Sequence, residues 1–168
     1  RLRYPVAVCR AMRAAWPQEK PMSVRISAHD WMGDEGVTEQ DALLIAQAFI
    51  EAGADIINGS TGQTSHSAKP QPGRMFQTPL SDIIRNDGDI PTIAVGNIYE
   101  TDHVNSIIAA GRADLVCLAR PHLADPNWTL HAAAELGYQG PGAIEQHQYF
   151  LGYRQAHTLA GREREATS

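Results

Sequence analysis

Residues Gly111–Pro126 read GRADLVCLARPHLADP, and the fold turns on how this stretch is divided. Ala113–Ala119 is an apolar run of strand length, entered from a helix that stops at Gly111 and left at Arg120-Pro121 with no polar turn between. Apart from Asp114 the run is apolar rather than alternating, and such a run reads as a strand covered on both faces, as in a parallel sheet. Its exit then falls at the carboxyl end of the strand, where parallel α/β proteins bind ligands. An arginine placed there, held by a proline that has no N–H of its own, is a candidate anion ligand.

Working outward, the same alternation recurs upstream. Helix signals run from Pro5 to about Ala15, from Thr38 to Gly53, from Thr78-Pro79 to Arg85, from Asp102 to Ala110, and from Asp125-Pro126 to near Gly137. Thr38 stands three residues before Asp41, a capping-box-like start, and Thr78 reads as an N-cap followed by proline. Between the helices lie short apolar strands at Met22–Ser27, Asp55–Asn58, Pro91–Val95 and Ala113–Ala119. Strands alternating with helices predict an α/β fold with a parallel sheet of βαβ units. Residues 1–137 are expected to form this body. Residues 138–168, which open on Gly140-Pro141-Gly142 and end in Arg/Glu-rich sequence, are expected to be a packed tail that becomes partly disordered.

Composition narrows the function classes. The chain has 168 residues and a formal net charge of −5, with no basic run, which argues against a nucleic-acid surface. It has no apolar run near the ~18 residues of a membrane span and no signal-peptide pattern. Two cysteines form no framework, and Cys117 inside the apolar strand reads as a small core residue. A cytoplasmic setting is the expectation. The seven histidines show no metal-ligand spacing, so no metal is expected. The first residue is not Met, consistent with a processed or excised piece of a longer chain.

The strand ends carry the candidate chemistry. Gly96-Asn97 follows the third strand and Ala119-Arg120 the fourth. If these are neighbouring strands of a (β/α)8 barrel, their backbone amides and one guanidinium make a phosphate site, a recurrent feature after the last two strands of such barrels. The plainer reading makes Gly96 a turn residue and Arg120 an exposed pair partner. Arg25 is the stranger residue. Alternation sets it on the opposite face from Val24 and Ile26, where a charge needs an anion or strong acceptor. An ion pair with Asp55 or Asp114 would satisfy it; so would an electron-rich cofactor.

These residues also carry a resemblance. VRISAHDW, DIINGSTGQ, TIAVGNI and GRADLVCLARPHLADPNW are similar to motifs in the second half of the Old Yellow Enzyme family of flavin-dependent ene-reductases. MSVRISAHDW, GRMFQTP and HVNSIIAAGRADLVCLARPHLADPNWTLHAA resemble more closely the C-terminal oxidoreductase domain of the bifunctional salicylyl-CoA 5-hydroxylase/oxidoreductase group, a monooxygenase-associated flavoprotein. The resemblance implies the C-terminal half, strands five to eight, of an FMN-binding (β/α)8 barrel. In that frame Arg25 reaches the N1/C2 edge of the flavin. Gly96, Asn97, Ala119 and Arg120 serve its phosphate, with Ala119 standing where glycine is usual. Hydride would pass from NADH or NADPH through FMN to a conjugated carbonyl substrate, an aromatic or acyl-CoA compound.

The same resemblance places the proton donor and the substrate-anchoring residues in the first half of the barrel, so the catalytic residues are unassigned. The chain alone is expected to be inactive, with an N-terminal half-barrel or a homo-oligomer as partner. In the long loop Gly59–Gln77, His66, Lys69, Arg74 and Phe76 are candidates to face ring or substrate. Arg154 in the tail is the candidate to enter a neighbouring subunit's site. Two rival readings stand: a dihydroorotate-dehydrogenase-like or other phosphate-binding barrel, and a non-catalytic half-barrel that binds a phosphate ligand or a partner chain.

Overall fold

The structure is a computed structural model of the chain, and it describes residues 1–62 and 64–167. Four parallel strands form one sheet in the order β1-β2-β3-β4: β1 Ser23–His29, β2 Ile56–Thr61, β3 Thr92–Ala94 and β4 Leu115–Val116. Sequential order of parallel neighbours is the order used by a βα barrel. The helices are α1 Arg3–Ala15, α2 Glu39–Glu51, α3 Thr78–Asn86, α4 Thr101–Ala109, α5 Arg120–Ala124, α6 Trp128–Glu135 and α7 Phe150–Thr167. The described chain falls into two compact units, Arg1–Leu118 with the whole sheet and Ala119–Ser168 with the last three helices. Among the described residues, no helix is long and apolar enough to cross a membrane.

Local chemistry explains why the elements begin where they do. Helix α2 starts at a complete capping box: the Asp41 N–H donates to Thr38 Oγ1 at 3.3 Å and the Thr38 N–H to Asp41 Oδ2 at 3.0 Å. Two aspartates staple the amino ends of the strands in the same way. Asp55 accepts the Met22 N–H at 2.6 Å and pairs with Arg13 of α1 at 3.0 Å. Asp114 accepts the Thr92 N–H at 2.8 Å and pairs with Arg85 of α3 at 3.0 Å. Each carboxylate thus joins two neighbouring strands to the helix that leads into one of them.

The core lies on one face of the sheet. Ile26, Ala28, Ile57 and Ala94 pack there with Ala42, Ala46, Ile84 and Ile107 of the helices, all buried. On the other face the registered residues are Arg25, Asn58, Ile93 and Leu115, with Ser27 beside Ser60 one layer further on. Leu115 is 55 % exposed on that face.

Several expectations are corrected. β4 spans two residues rather than Ala113–Ala119, and Cys117 is exposed rather than a core residue. The cause is position: β4 is an edge strand, so the apolar run has cover from one side only. Thr78 does not cap α3; Gln77 holds the N-cap position, while Thr78 is fully buried in the first turn. Asp125-Pro126 does not cap α6 directly, because Arg120–Ala124 forms a helix of its own and Asp125 stands between the two. β2 runs on through Thr61, so Gly59, Ser60 and Thr61 belong to the strand and not to the loop. In the tail, Phe150–Thr167 is one 18-residue helix, whose Arg164 ties back to the Ala134 carbonyl of α6 at 2.8 Å.

Candidate functional site

The carboxyl ends of β1, β2 and β3 converge on one polar patch. Arg25 lies on the open face of β1 with its side chain exposed. Its Nε donates to Ser60 Oγ at 2.9 Å, and the Ser60 hydroxyl in turn donates to the Ile26 carbonyl at 3.0 Å. The two carboxylates that could have neutralised Arg25 are engaged elsewhere, Asp55 by Arg13 and Asp114 by Arg85. Among the described residues Arg25 has no ion pair. Asn58, in register with Arg25, is 6 % exposed, and its Oδ1 has no hydrogen-bond donor. A guanidinium without a counter-charge beside buried, unmatched polar atoms is the arrangement expected of a ligand face.

The end of β3 is a built turn. Gly96 and Asn97 both take positive φ, +107° and +52°. A side chain at Gly96 would place its Cβ 2.6 Å from Gln77 Cδ, so only glycine fits. Asn97 holds the long loop: its Nδ2 donates to the Gly73 carbonyl at 2.8 Å, and its own carbonyl accepts the Met75 N–H at 3.2 Å. Among the described residues neither the Gly96 nor the Asn97 N–H is spent in a hydrogen bond. Two adjacent unspent amides at a left-handed turn are the kind of donors an anion-binding concavity uses.

The loop after β1 frames the same end of the sheet. Burial pushes the Asp30 carboxyl up, but the Val37 amide and the Ser27 and Thr64 hydroxyls outweigh it and hold it below the usual range. Trp31 takes φ +58° and donates its N–H to His29 Nδ1 at 2.9 Å, with the rings 4.5 Å apart.

The other nominated residues fall as follows. His66, Lys69 and Arg74 are exposed and Phe76 is half-buried. The Lys69 N–H donates to the Trp31 carbonyl at 3.2 Å, but no side chain of these four makes a hydrogen bond or ion pair among the described residues. In the second unit, Ala119 is the N-cap of α5 with φ −119°, a backbone any residue adopts, so alanine in place of glycine costs nothing in conformation. Arg120 is exposed and has no ion pair among the described residues. Sequence reasoning put Asn58 at a strand end without assigning it a role, and it missed Gln77. Both are uncharged and adjoin ordinary strand and helix signals; burial alone marks them out. No group of His, Cys, Asp and Glu that could hold a metal occurs among the described residues.

A parallel sheet in sequential strand order, with Arg25 on its open face and the Gly96–Asn97 turn after its third strand, is an α/β arrangement compatible with part of a (β/α)8 barrel. Comparison with known proteins makes this specific. Residues 1–139 match the NADH:flavin oxidoreductase / NADH oxidase family, and the chain belongs to that family. It is 36 % identical over 134 residues to an NADPH dehydrogenase of Clostridium acetobutylicum, covering 79 % of this chain and 39 % of that protein. It is 37 % identical over 155 residues to an NADPH dehydrogenase of Geobacillus sp., covering 92 % of this chain and 43 % of that protein. An NADH oxidase of Thermoanaerobacter brockii is 34 % identical over 132 residues, covering 76 % of this chain and 20 % of that protein. The chain therefore spans about two fifths or less of the length of these relatives.

Proposed function

We propose that this chain supplies strands five to eight of a (β/α)8 barrel that binds FMN and works as an NADH- or NADPH-dependent ene-reductase. The observation that carries the reading is Arg25: a charge on the inner face of the sheet whose two candidate carboxylates are both engaged elsewhere. Family membership supports the flavin. The exposed apolar stripe Tyr4, Val8 and Met12 on α1, beside the unpaired edge of β1, supports a preceding βα unit.

The residues present fit the group. Arg25 would hold the electron-rich edge of the ring, with Ser60 fixing the guanidinium. Gly96 and Asn97 would donate backbone N–H groups to the phosphate. When bound, the flavin supplies two-electron hydride chemistry. Arg25 supplies a fixed positive charge where negative charge accumulates on reduction, in an orientation set before the reaction. The closer resemblance to the salicylyl-CoA oxidoreductase group points the substrate class to conjugated carbonyl compounds, aromatic or acyl-CoA.

The test is a titration of the chain with FMN, followed by quenching of flavin fluorescence. Reduction by NADH and NADPH is then measured once the first half of the barrel is supplied. Saturable binding and bleaching at the flavin absorbance are expected. A chain that ignores FMN with and without the other half sinks the reading in favour of a phosphate-binding or purely structural half-barrel.

A further inference from the structure

Gln77 has a place in the site that neither charge nor motif announces. It is 7 % exposed and precedes α3 at the far end of the long loop. Its Nε2 donates to the Thr61 carbonyl at the end of β2, at 3.3 Å. That acceptor settles which end of the carboxamide is which, because a carbonyl takes only a donor. The remaining oxygen, Oε1, is buried and has no donor among the described residues. It lies against the β3 turn: a Cβ on Gly96 would stand 2.7 Å from it.

The arrangement is reciprocal. Asn97 holds the loop through Gly73 and Met75, two residues before Gln77. Gln77 in return lies across Gly96, tied to β2. The turn is thus clamped from both sides, which keeps the unspent amides of Gly96 and Asn97 in a fixed orientation. Next to these two donors stands one acceptor, Oε1, whose burial without a partner is costly.

We propose that Gln77 is a positioning residue for the ligand site: it braces the Gly96–Asn97 turn and offers Oε1 to a hydroxyl of the bound ligand. Two amide donors select an anionic oxygen, and a neighbouring acceptor selects a hydroxyl. Together they select a phosphate ester with a free hydroxyl a few bonds from phosphorus. The ribityl phosphate of FMN has both groups, so the proposal rests on the FMN reading for its ligand but not for the bracing of the turn.

The test compares the wild-type chain with Gln77→Leu and Gln77→Glu, folding checked by circular dichroism, titrated with FMN and with riboflavin. Gln77→Leu should weaken both flavins by about 10-fold, the scale of one neutral hydrogen bond with its brace. Gln77→Glu keeps an acceptor but adds a negative charge beside the amides, so it should weaken FMN more than riboflavin. Wild-type-like FMN binding by Gln77→Leu, or equal losses of the two flavins in Gln77→Glu, overturns the proposal.

If the wild-type chain binds neither flavin with or without the other half of the barrel, the FMN reading fails and takes the hydroxyl contact with it. The bracing role is then read from amide hydrogen exchange in the ligand-free chain. Faster exchange of Gly96 and Asn97 in Gln77→Leu sustains the brace; unchanged exchange overturns it too. If Gln77→Leu does not fold, the flavin comparison in Gln77→Glu decides.

Discussion

Arg25 Nε donates to Ser60 Oγ at 2.9 Å across the β1–β2 pair, and the Ser60 hydroxyl donates in turn to the Ile26 carbonyl at 3.0 Å. The serine therefore acts only as an acceptor toward the guanidinium, holding its Nε edge against the sheet; among the described residues the two terminal nitrogens make no hydrogen bond. An arginine so held is pre-oriented for an electron-rich ligand.

In the FMN-loaded barrel, Arg25→Met should slow flavin reduction by about 100-fold, the scale of losing one charge-stabilising donor. Ser60→Ala keeps the charge but frees the side chain, so a smaller slowing is expected. Stopped-flow reduction by NADPH measures both. Equal rates for Arg25→Met and wild type would remove Arg25 from the chemistry.

Gly96→Ala tests the turn. The added Cβ meets the Gln77 carboxamide at 2.6 Å, and φ of +107° is hostile to any L side chain. A loss of roughly 2 kcal/mol is expected, about 4–8 °C in Tm for a chain of this size. Differential scanning calorimetry reads it directly.

Asp114→Ala removes the acceptor of the Thr92 N–H, and Thr92 is fully buried. It also removes the ion-pair partner of Arg85, which keeps its hydrogen bond to the Gly111 carbonyl at 2.9 Å. A cost of about 2 kcal/mol in urea unfolding is expected, most of it from the unpaired amide rather than from the part-exposed ion pair.

The capping box predicts an acid limb. The Thr38 amide and then its hydroxyl donate to Asp41 and hold its carboxyl below the ordinary range. A depressed folded value means the added stability is fully present above the unfolded pKa of about 3.9 and is lost as pH falls through the folded one. Thr38→Ala should therefore lower stability at pH 7, and by progressively less below pH 4, measured by urea unfolding across that range.

What the sequence determined by itself was everything that depends on near neighbours. The alternation of apolar strands and helices, the Thr38–Asp41 box, the glycine at position 96 and the face assigned to Arg25 follow from spacing and side-chain type. The tertiary structure alone decided which partners were spoken for. That Asp55 belongs to Arg13 and Asp114 to Arg85, leaving Arg25 without a counter-charge, depends on contacts 29 or more residues apart along the chain. The apolar run at Ala113–Ala119 looked buried because hydrophobicity records what a strand could bury, whereas its exposure is set by the strand that does or does not lie beside it. For the same reason Gln77 was invisible: an uncharged amide before a helix carries no signal until folding buries it against Gly96 and leaves its oxygen without a donor.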